Sequence, residues 1–289
     1  MNRFFALIGA LFLSFVTIAS ACAAVAPGSV HFTLRSEKSG DRIQANFRSD
    51  GDSRHDNNWS SGFRPGDLVG LDLAGFRASG TRPLRFSLIR ESGRIDCSGR
   101  GGGSFAEGDC GLALDPEFIR LLDSRGIARP RPDQSFGLVV LDVRRDLIDA
   151  LAAARYPQPS VGDLMGLTAL GVDRGYIAGL AGVGYRPNKL GDLMQFKALN
   201  ITPQWIAGFV RTGYAGLPAD ELVQLKALNV TPDYIAGFDR LGYRLPAHTL
   251  VELKAMGITP EFVRSVAGDG QPMPDVSKLI ELKIFGRRR

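Results

Sequence analysis

The sequence predicts an α+β protein: a small antiparallel β sandwich or open barrel over residues 27–115, then an α-helical hairpin repeat array, a short solenoid, over residues 116–286. Three observations predict it. Up to about residue 114 apolar residues alternate with polar ones, the period of a half-buried strand. Beyond that point the apolar period changes to one residue per helical turn. The second part also repeats itself at a spacing of about 29 residues, the signature of stacked supersecondary units.

Residues 1–23 are set aside from the fold. Arg3 supplies a positive start, residues 4–16 an apolar stretch short for a membrane span, and small residues follow, which is the order of a secretory signal. Ala21 and Ala23 suit cleavage after Ala23, whereas cleavage after Ala26 would place Pro27 first in the mature chain. Cleavage after Ala21 would instead expose Cys22 for lipidation, but Ala19 stands where a bacterial lipoprotein signal usually has Leu. The expected location is periplasmic or secreted, with lipoprotein anchoring at Cys22 as the alternative. No second long apolar run follows, so no transmembrane span is expected after signal removal.

The β-rich part opens with Val30, Phe32 and Leu34, then Ile43, Ala45 and Phe47, and residues 38–41 (Lys-Ser-Gly-Asp) supply turn material for a hairpin between them. Val69, Leu71 and Leu73 predict a third strand. Leu84, Phe86 and Leu88, then residues 94–97, then Cys110, Leu112 and Leu114 continue the alternation. Cys22 leaves with the signal, and Cys97 and Cys110 remain as an even number in an oxidising compartment, which reads as one disulfide. Two cysteines are too few for a four-cysteine zinc site. Gly99, Gly101, Gly102, Gly103 and Gly108 make the stretch between them mobile when unfolded. Closing a loop of that size stabilises by about 3 kcal/mol.

Asp50, Asp52 and Asp56 place hard oxygen ligands in one loop, as calcium requires. The loop lacks the fixed Gly and bidentate Glu of a helical calcium site, and Arg54 adds a positive charge, so an ordinary polar loop is expected. Trp59 and Phe63 beside it are read as a buried edge of the sandwich, with exposed contact residues as the alternative.

In the second part, Asp192-Leu-Met-Gln-Phe-Lys-Ala-Leu-Asn-Ile-Thr-Pro and Glu221-Leu-Val-Gln-Leu-Lys-Ala-Leu-Asn-Val-Thr-Pro align without a gap. A third copy starts at Thr249, a diverged one at Asp163 and a truncated one at Leu279. Ile119, Ile148, Ile177, Ile206 and Ile235 keep the spacing, as do Tyr156, Tyr185, Tyr214 and Tyr243, which carries the array back to Pro116. In the first half of each unit, Leu193, Phe196 and Leu199 put one apolar residue per turn on one face. In the second half, Thr202-Pro203, Thr231-Pro232 and Thr259-Pro260 give an N-cap hydroxyl followed by proline at the first helical position. Gly184, Gly213 and Gly242 are expected to stop these helices left-handed, with Tyr214 touching Phe209 and Tyr243 touching Phe238. Helices this short need stacked neighbours, so the array is expected to fold on contacts between units.

Three further rows recur. Tyr176, Trp205, Tyr234 and Phe262 are read as core. Gly179, Gly208 and Gly237 inside helices predict close helix approach. Lys197, Lys226, Lys254 and Lys283 fall outside the apolar stripe, and stacking lines them up on one edge, either as a solvated face or as a ladder for an acidic protein partner.

Of the formal charge of +5, Arg3 and the basic tail 287–289 supply four, leaving +1 on the body of the chain. A nucleic-acid binder would carry its cations as a stripe on the fold, so no nucleic acid is expected. The three histidines, His31, His55 and His248, are isolated from any pattern of nucleophile, carboxylate or metal ligand, and neither cofactor nor metal is expected.

Units reading Leu222-Val-Gln-Leu-Lys-Ala-Leu-Asn-Val-Thr-Pro-Asp-Tyr-Ile followed by Gly242-Tyr243 resemble the extracytoplasmic helical repeats of bacterial regulatory membrane metallopeptidases of the beta-lactam-sensor type and of related stand-alone exported proteins. The stretch from Arg90-Glu-Ser-Gly to Asp115-Pro-Glu-Phe is similar too, and the resemblance covers roughly residues 84–286. It implies a sensing or interaction part. The sequence contains no His-Glu-x-x-His, so no catalytic residue carries over. The expected function is an exported, non-enzymatic binding or scaffold protein whose array mediates protein-protein interaction. The alternatives are a cell-envelope hydrolase, whose paired carboxylates could be distant in sequence, and a structural envelope protein.

Overall fold

The computed structural model describes residues 30–37, 40–49, 58–267 and 272–286. The signal segment with Cys22, the loop carboxylates Asp50, Asp52 and Asp56, His55 and the basic tail 287–289 lie outside the described residues.

Among the described residues six strands form one antiparallel sheet: β1 (Val30–Ser36), β2 (Ile43–Ser49), β3 (Asn58–Phe63), β4 (Arg82–Arg90), β5 (Gly93–Gly102) and β6 (Phe105–Leu114), in the order β3-β2-β1-β6-β5-β4. The expected first hairpin is present, with Phe32 opposite Phe47 and Leu34 opposite Ala45. The sandwich is not: the described residues hold one sheet, and β3 and β4 do not join to close a barrel. Alternation in a strand says that one face is buried but not what buries it. Here the cover is helical.

The sheet nevertheless curls. Phe32 on β1 and Phe86 on β4 lie three strands apart, about 14 Å in a flat sheet, yet their ring centroids are 5.1 Å apart. Glycine makes room for this. Gly99 and Gly108 face each other across β5 and β6, and a Cβ on Gly108 would stand 2.9 Å from the Phe32 ring. Cys97 and Cys110 are also directly opposed, and their disulfide, 2.03 Å long, lies buried on the inner face.

The segment predicted as the third strand is a second correction. Val69 makes a single bridge to Ser87, and the chain then turns into the short helix α1 (Leu73–Arg77). The reason is local: the Asp72 carboxylate accepts from the Gly75 N–H at 3.0 Å and caps a helix start. The strand that sequence alternation did not single out is β3. Its Phe63 is buried and its Trp59 half-buried, so the edge position expected for these aromatics holds.

Among the described residues twelve helices follow: α2 (Pro116–Ser124), α3 (Pro132–Val140), α4 (Arg145–Ala153), α5 (Val161–Ala169), α6 (Arg174–Gly182), α7 (Leu190–Ala198), α8 (Pro203–Arg211), α9 (Ala219–Ala227), α10 (Pro232–Asp239), α11 (Ala247–Ala255), α12 (Pro260–Val266) and α13 (Val276–Phe285). Each is shorter than the roughly 12–15 residues at which an isolated helix becomes even marginal, so tertiary contacts must supply its stability. Thr202, Thr231 and Thr259 cap α8, α10 and α12 as predicted, accepting from Trp205, Tyr234 and Phe262 N–H groups at 3.1 to 3.2 Å. Left-handed residues end the helices from α2 to α11, among them Gly184, Gly213 and Gly242, with Asn200 and Asn229 closing α7 and α9. In each case the next N–H returns to a carbonyl five residues back, as Tyr214 does to Phe209 at 3.0 Å and Tyr243 to Phe238 at 3.1 Å. The Tyr243 ring also meets the Phe238 ring, centroids 5.9 Å apart.

Helices two apart in sequence touch: α3 with α5, α5 with α7, α7 with α9, α9 with α11, and likewise α4 with α6, α6 with α8 and α10 with α12. The helical glycines mark this approach. A Cβ on Gly179, Gly208 or Gly237 would come within 2.9, 2.8 or 2.5 Å of Pro203, Pro232 or Pro260, the first residue of the helix two further on. Thus one proline both starts its own helix and fills the notch left by glycine in the preceding one.

The sheet and the helices meet through α3. Its Phe136, Val139 and Val140 are buried with the sheet's inner residues, while its Leu138 is buried with the helices. Ser92 at the β4–β5 turn is fully buried and donates to the Leu138 carbonyl at 3.1 Å. Across the same junction the Arg145 N–H donates to the Glu91 carboxylate at 2.9 Å and its guanidinium to Asp115 at 2.7 Å. The change of periodicity at residues 115/116 therefore coincides with a change of secondary structure, while the core contacts run across it.

Candidate binding edge of the helical half

Two periodic rows that the sequence separates by about 21 residues come together in space. The Lys197 Nζ lies 4.7 Å from the centroid of the Tyr176 ring, Lys226 Nζ 5.3 Å from Trp205, Lys254 Nζ 4.6 Å from Tyr234 and Lys283 Nζ 5.0 Å from Phe262. The geometry follows from the helix ends. An N-cap side chain, Asp173 in α6 and Thr202, Thr231 and Thr259 in α8, α10 and α12, fixes the aromatic residue in the first turn of an even-numbered helix, and each lysine stands in the last turn of the odd-numbered helix that follows. A cation there also faces the negative end of its own helix. Each lysine thus reaches back over the ring of the preceding helix.

Tyr176 and Tyr234 are buried, and Trp205 and Phe262 half-buried, so the aromatic row is core with one face turned to the lysines. Lys197, Lys226 and Lys254 are half-buried and Lys283 is exposed, where its amino group also donates to the Gly257 carbonyl at 3.0 Å. Among the described residues none of the four amino groups has a carboxylate within 4.0 Å, whereas Lys278 on the same terminal helix pairs with Glu281 at 3.0 Å. The four amino groups thus carry their charge without an ion-pair partner among the described residues. Sequence reasoning missed its pairing with the rings, although the near-constant offset between the two rows carried the signal.

Tyrosine hydroxyls tie the helices together at other points. Tyr176 and Tyr234 donate to the Ile201 and Ile258 carbonyls, both at 2.6 Å. Tyr185, Tyr214 and Tyr243 donate to the carbonyls of Leu217, Leu245 and Pro274 at 3.0, 2.5 and 2.5 Å. Burial pushes Tyr156 and Tyr185 up to about 12 and raises Tyr176, Tyr214, Tyr234 and Tyr243 above the ordinary tyrosine value. Because the folded values exceed the unfolded one near 10, the stability held by these hydroxyls is complete below about pH 10 and is lost as pH rises through the folded values. Each titrating tyrosine contributes a slope of about 1.4 kcal/mol per pH unit in that window. Helical ellipticity and tyrosinate absorbance, followed together on raising the pH above about 10, are expected to change in one cooperative step. Full ionisation with the ellipticity intact would refute the tie.

The other candidate chemistries are dispersed. His31 pairs with Asp109 at 3.1 Å on the outer face of the sheet, and His248 lies in α11. Among the described residues no group of three His, Cys, Asp or Glu side chains converges as metal ligands, and no helix is long and apolar enough to cross a membrane. A surface recess of about 430 Å³ at the junction is lined by Glu91, Arg145, Asp146, Asp149 and Arg174, with Arg145 already engaged to Asp115. No protein-family model and no curated protein matches this chain.

Proposed function

We propose that the chain is an exported, non-enzymatic binding or scaffold protein whose helices act as a repeat array, a short solenoid, and hold an acidic protein partner along the lysine edge. The observation that carries this reading is the row of four lysines seated over aromatic rings without a carboxylate partner. A cation–π contact contributes about 0.5–1 kcal/mol at an exposed site and orders the side chain, but it leaves the net charge in place. A row of ordered, uncancelled cations raises the association rate and the selectivity for a negative surface. Stacked helical units present such rows over an extended surface that a single hairpin could not offer. Export is supported by the buried Cys97–Cys110 disulfide, which suits an oxidising compartment, and by the order of residues 1–23. A sensing role at the cell envelope is what the resemblance of the repeats adds.

The test compares the full chain with the triple variant Lys197→Glu, Lys226→Glu, Lys254→Glu. Losing three cation–π contacts costs about 2 kcal/mol in sum, so helical circular dichroism is checked first. A partner captured from the envelope fraction is expected to be lost from the variant, and its salt dependence to flatten or reverse. Unchanged affinity at low ionic strength would reduce the row to a solvated face.

A further inference from the structure

The residues beside each lysine constrain what shape of partner fits. Two positions after the lysines stand Leu199, Leu228, Met256 and Phe285, of which Leu228 is 37 % and Phe285 67 % exposed. Asn200 and Asn229, next in sequence and held left-handed at the helix ends, are exposed, and among the described residues their side-chain amides make no hydrogen bond. The edge thus offers a cation at each step, an exposed apolar contact at Leu228 and Phe285 and, in its two central steps, a free amide.

The step of this pattern is set by helix packing. The helices α7, α9 and α11 touch in turn, and packed helices stand about 8–10 Å apart, so equivalent lysines repeat at about that distance. A polyproline II chain has three residues per turn and rises about 3.1 Å per residue, which returns a side chain to the same face every 9 Å or so. A β-strand returns one about every 7 Å and falls out of step. An α-helix returns one about every 10.5 Å, after seven residues, but its backbone groups are bonded internally, whereas a polyproline II backbone is open and can bond the exposed asparagine amides. We infer that the partner, on the reading above that this edge takes an acidic protein, lies along it as a polyproline II segment with a carboxylate at every third residue and proline or other apolar side chains between.

Three labelled peptides test this by fluorescence anisotropy with the full chain. One carries four Glu-Pro-Pro triplets, one has the same composition with its glutamates in a single block, and one is an alanine-rich helix with glutamate at every seventh position. The triplet peptide is expected to bind at least about tenfold tighter than either other peptide. That advantage should vanish with Lys197→Gln, Lys226→Gln, Lys254→Gln. It should also shrink several-fold with Asn200→Gly, Asn229→Gly, a change that keeps the left-handed helix ends, since glycine already serves there at positions 171 and 257. Equal binding of triplet and block peptides would overturn the register while leaving an acidic partner in place. Tighter binding of the helical peptide would overturn the extended conformation. Absence of binding by all three would overturn both this inference and the acidic-partner reading beneath it.

Discussion

Phe136→Ala is expected to weaken both halves of the chain together. The Phe136 side chain is 2 % exposed and projects from α3 into the sheet, its ring 5.3 Å from Phe47 and 5.1 Å from Trp59. Truncating a buried phenylalanine costs about 3–5 kcal/mol, from lost transfer energy and the cavity left behind. Because the same helix buries Leu138 among the other helices, the loosened α3 should be felt on both sides. The chain has 2 tryptophans, Trp59 against α3 and Trp205 in α8, so each half carries its own probe. In urea, with Trp205→Phe isolating the first probe and helical ellipticity reporting the second half, both midpoints should fall. An unchanged helical midpoint beside a shifted Trp59 transition would mean that α3 does not couple the halves. The fragment 116–286, expected from neighbour contacts to fold alone, would leave Phe136, Val139 and Val140 bare, so its stability should sit below that of the helices in the full chain.

Loss of the Cys97–Cys110 bond comes next in size. It closes a separation of 13 residues rich in glycine, and removing a cross-link of that span costs about 3 kcal/mol in the chain-entropy account. Both sulfur-bearing residues are buried on the inner face, so Cys97→Ala with Cys110→Ala also removes core contacts beside Phe86. Intact-mass measurement with and without reductant and alkylating agent first establishes the bond; two thiols alkylated freely in the unreduced protein would contradict it. The double variant should then lose stability chiefly in the Trp59 transition, since the bond lies within the sheet. A variant as stable as the parent would show that register and packing alone hold the hairpin.

The elements that were legible in advance are those governed by local rules. The Thr-Pro starts, the left-handed stops and the hairpin from β1 to β2 depend on residues within a few positions of one another, and all stand where the residues place them. The close approach at Gly179, Gly208 and Gly237 was also readable, because a recurring helical glycine has few other uses. What failed was the strand at Val69, where one capping aspartate outweighed a run of alternating apolar residues. The short strand β3 was passed over because only Trp59 and Phe63 mark it.

The sequence by itself determined the switch from strands to helices near residue 115, the starts of α8, α10 and α12 and the stops of α6, α8 and α10, since each follows from backbone preference or from apolar spacing along one segment; the cysteine pair followed from its even count, and the period of about 29 residues from self-comparison. Tertiary structure alone decided that the sheet is single and curled around Phe32, that α3 covers it, and that the lysine row rests on the aromatic row of the preceding unit. Those outcomes depend on which surfaces meet. Periodicity reports that a face is apolar, or that a row of cations recurs, but not the distance or the partner at which it comes to rest.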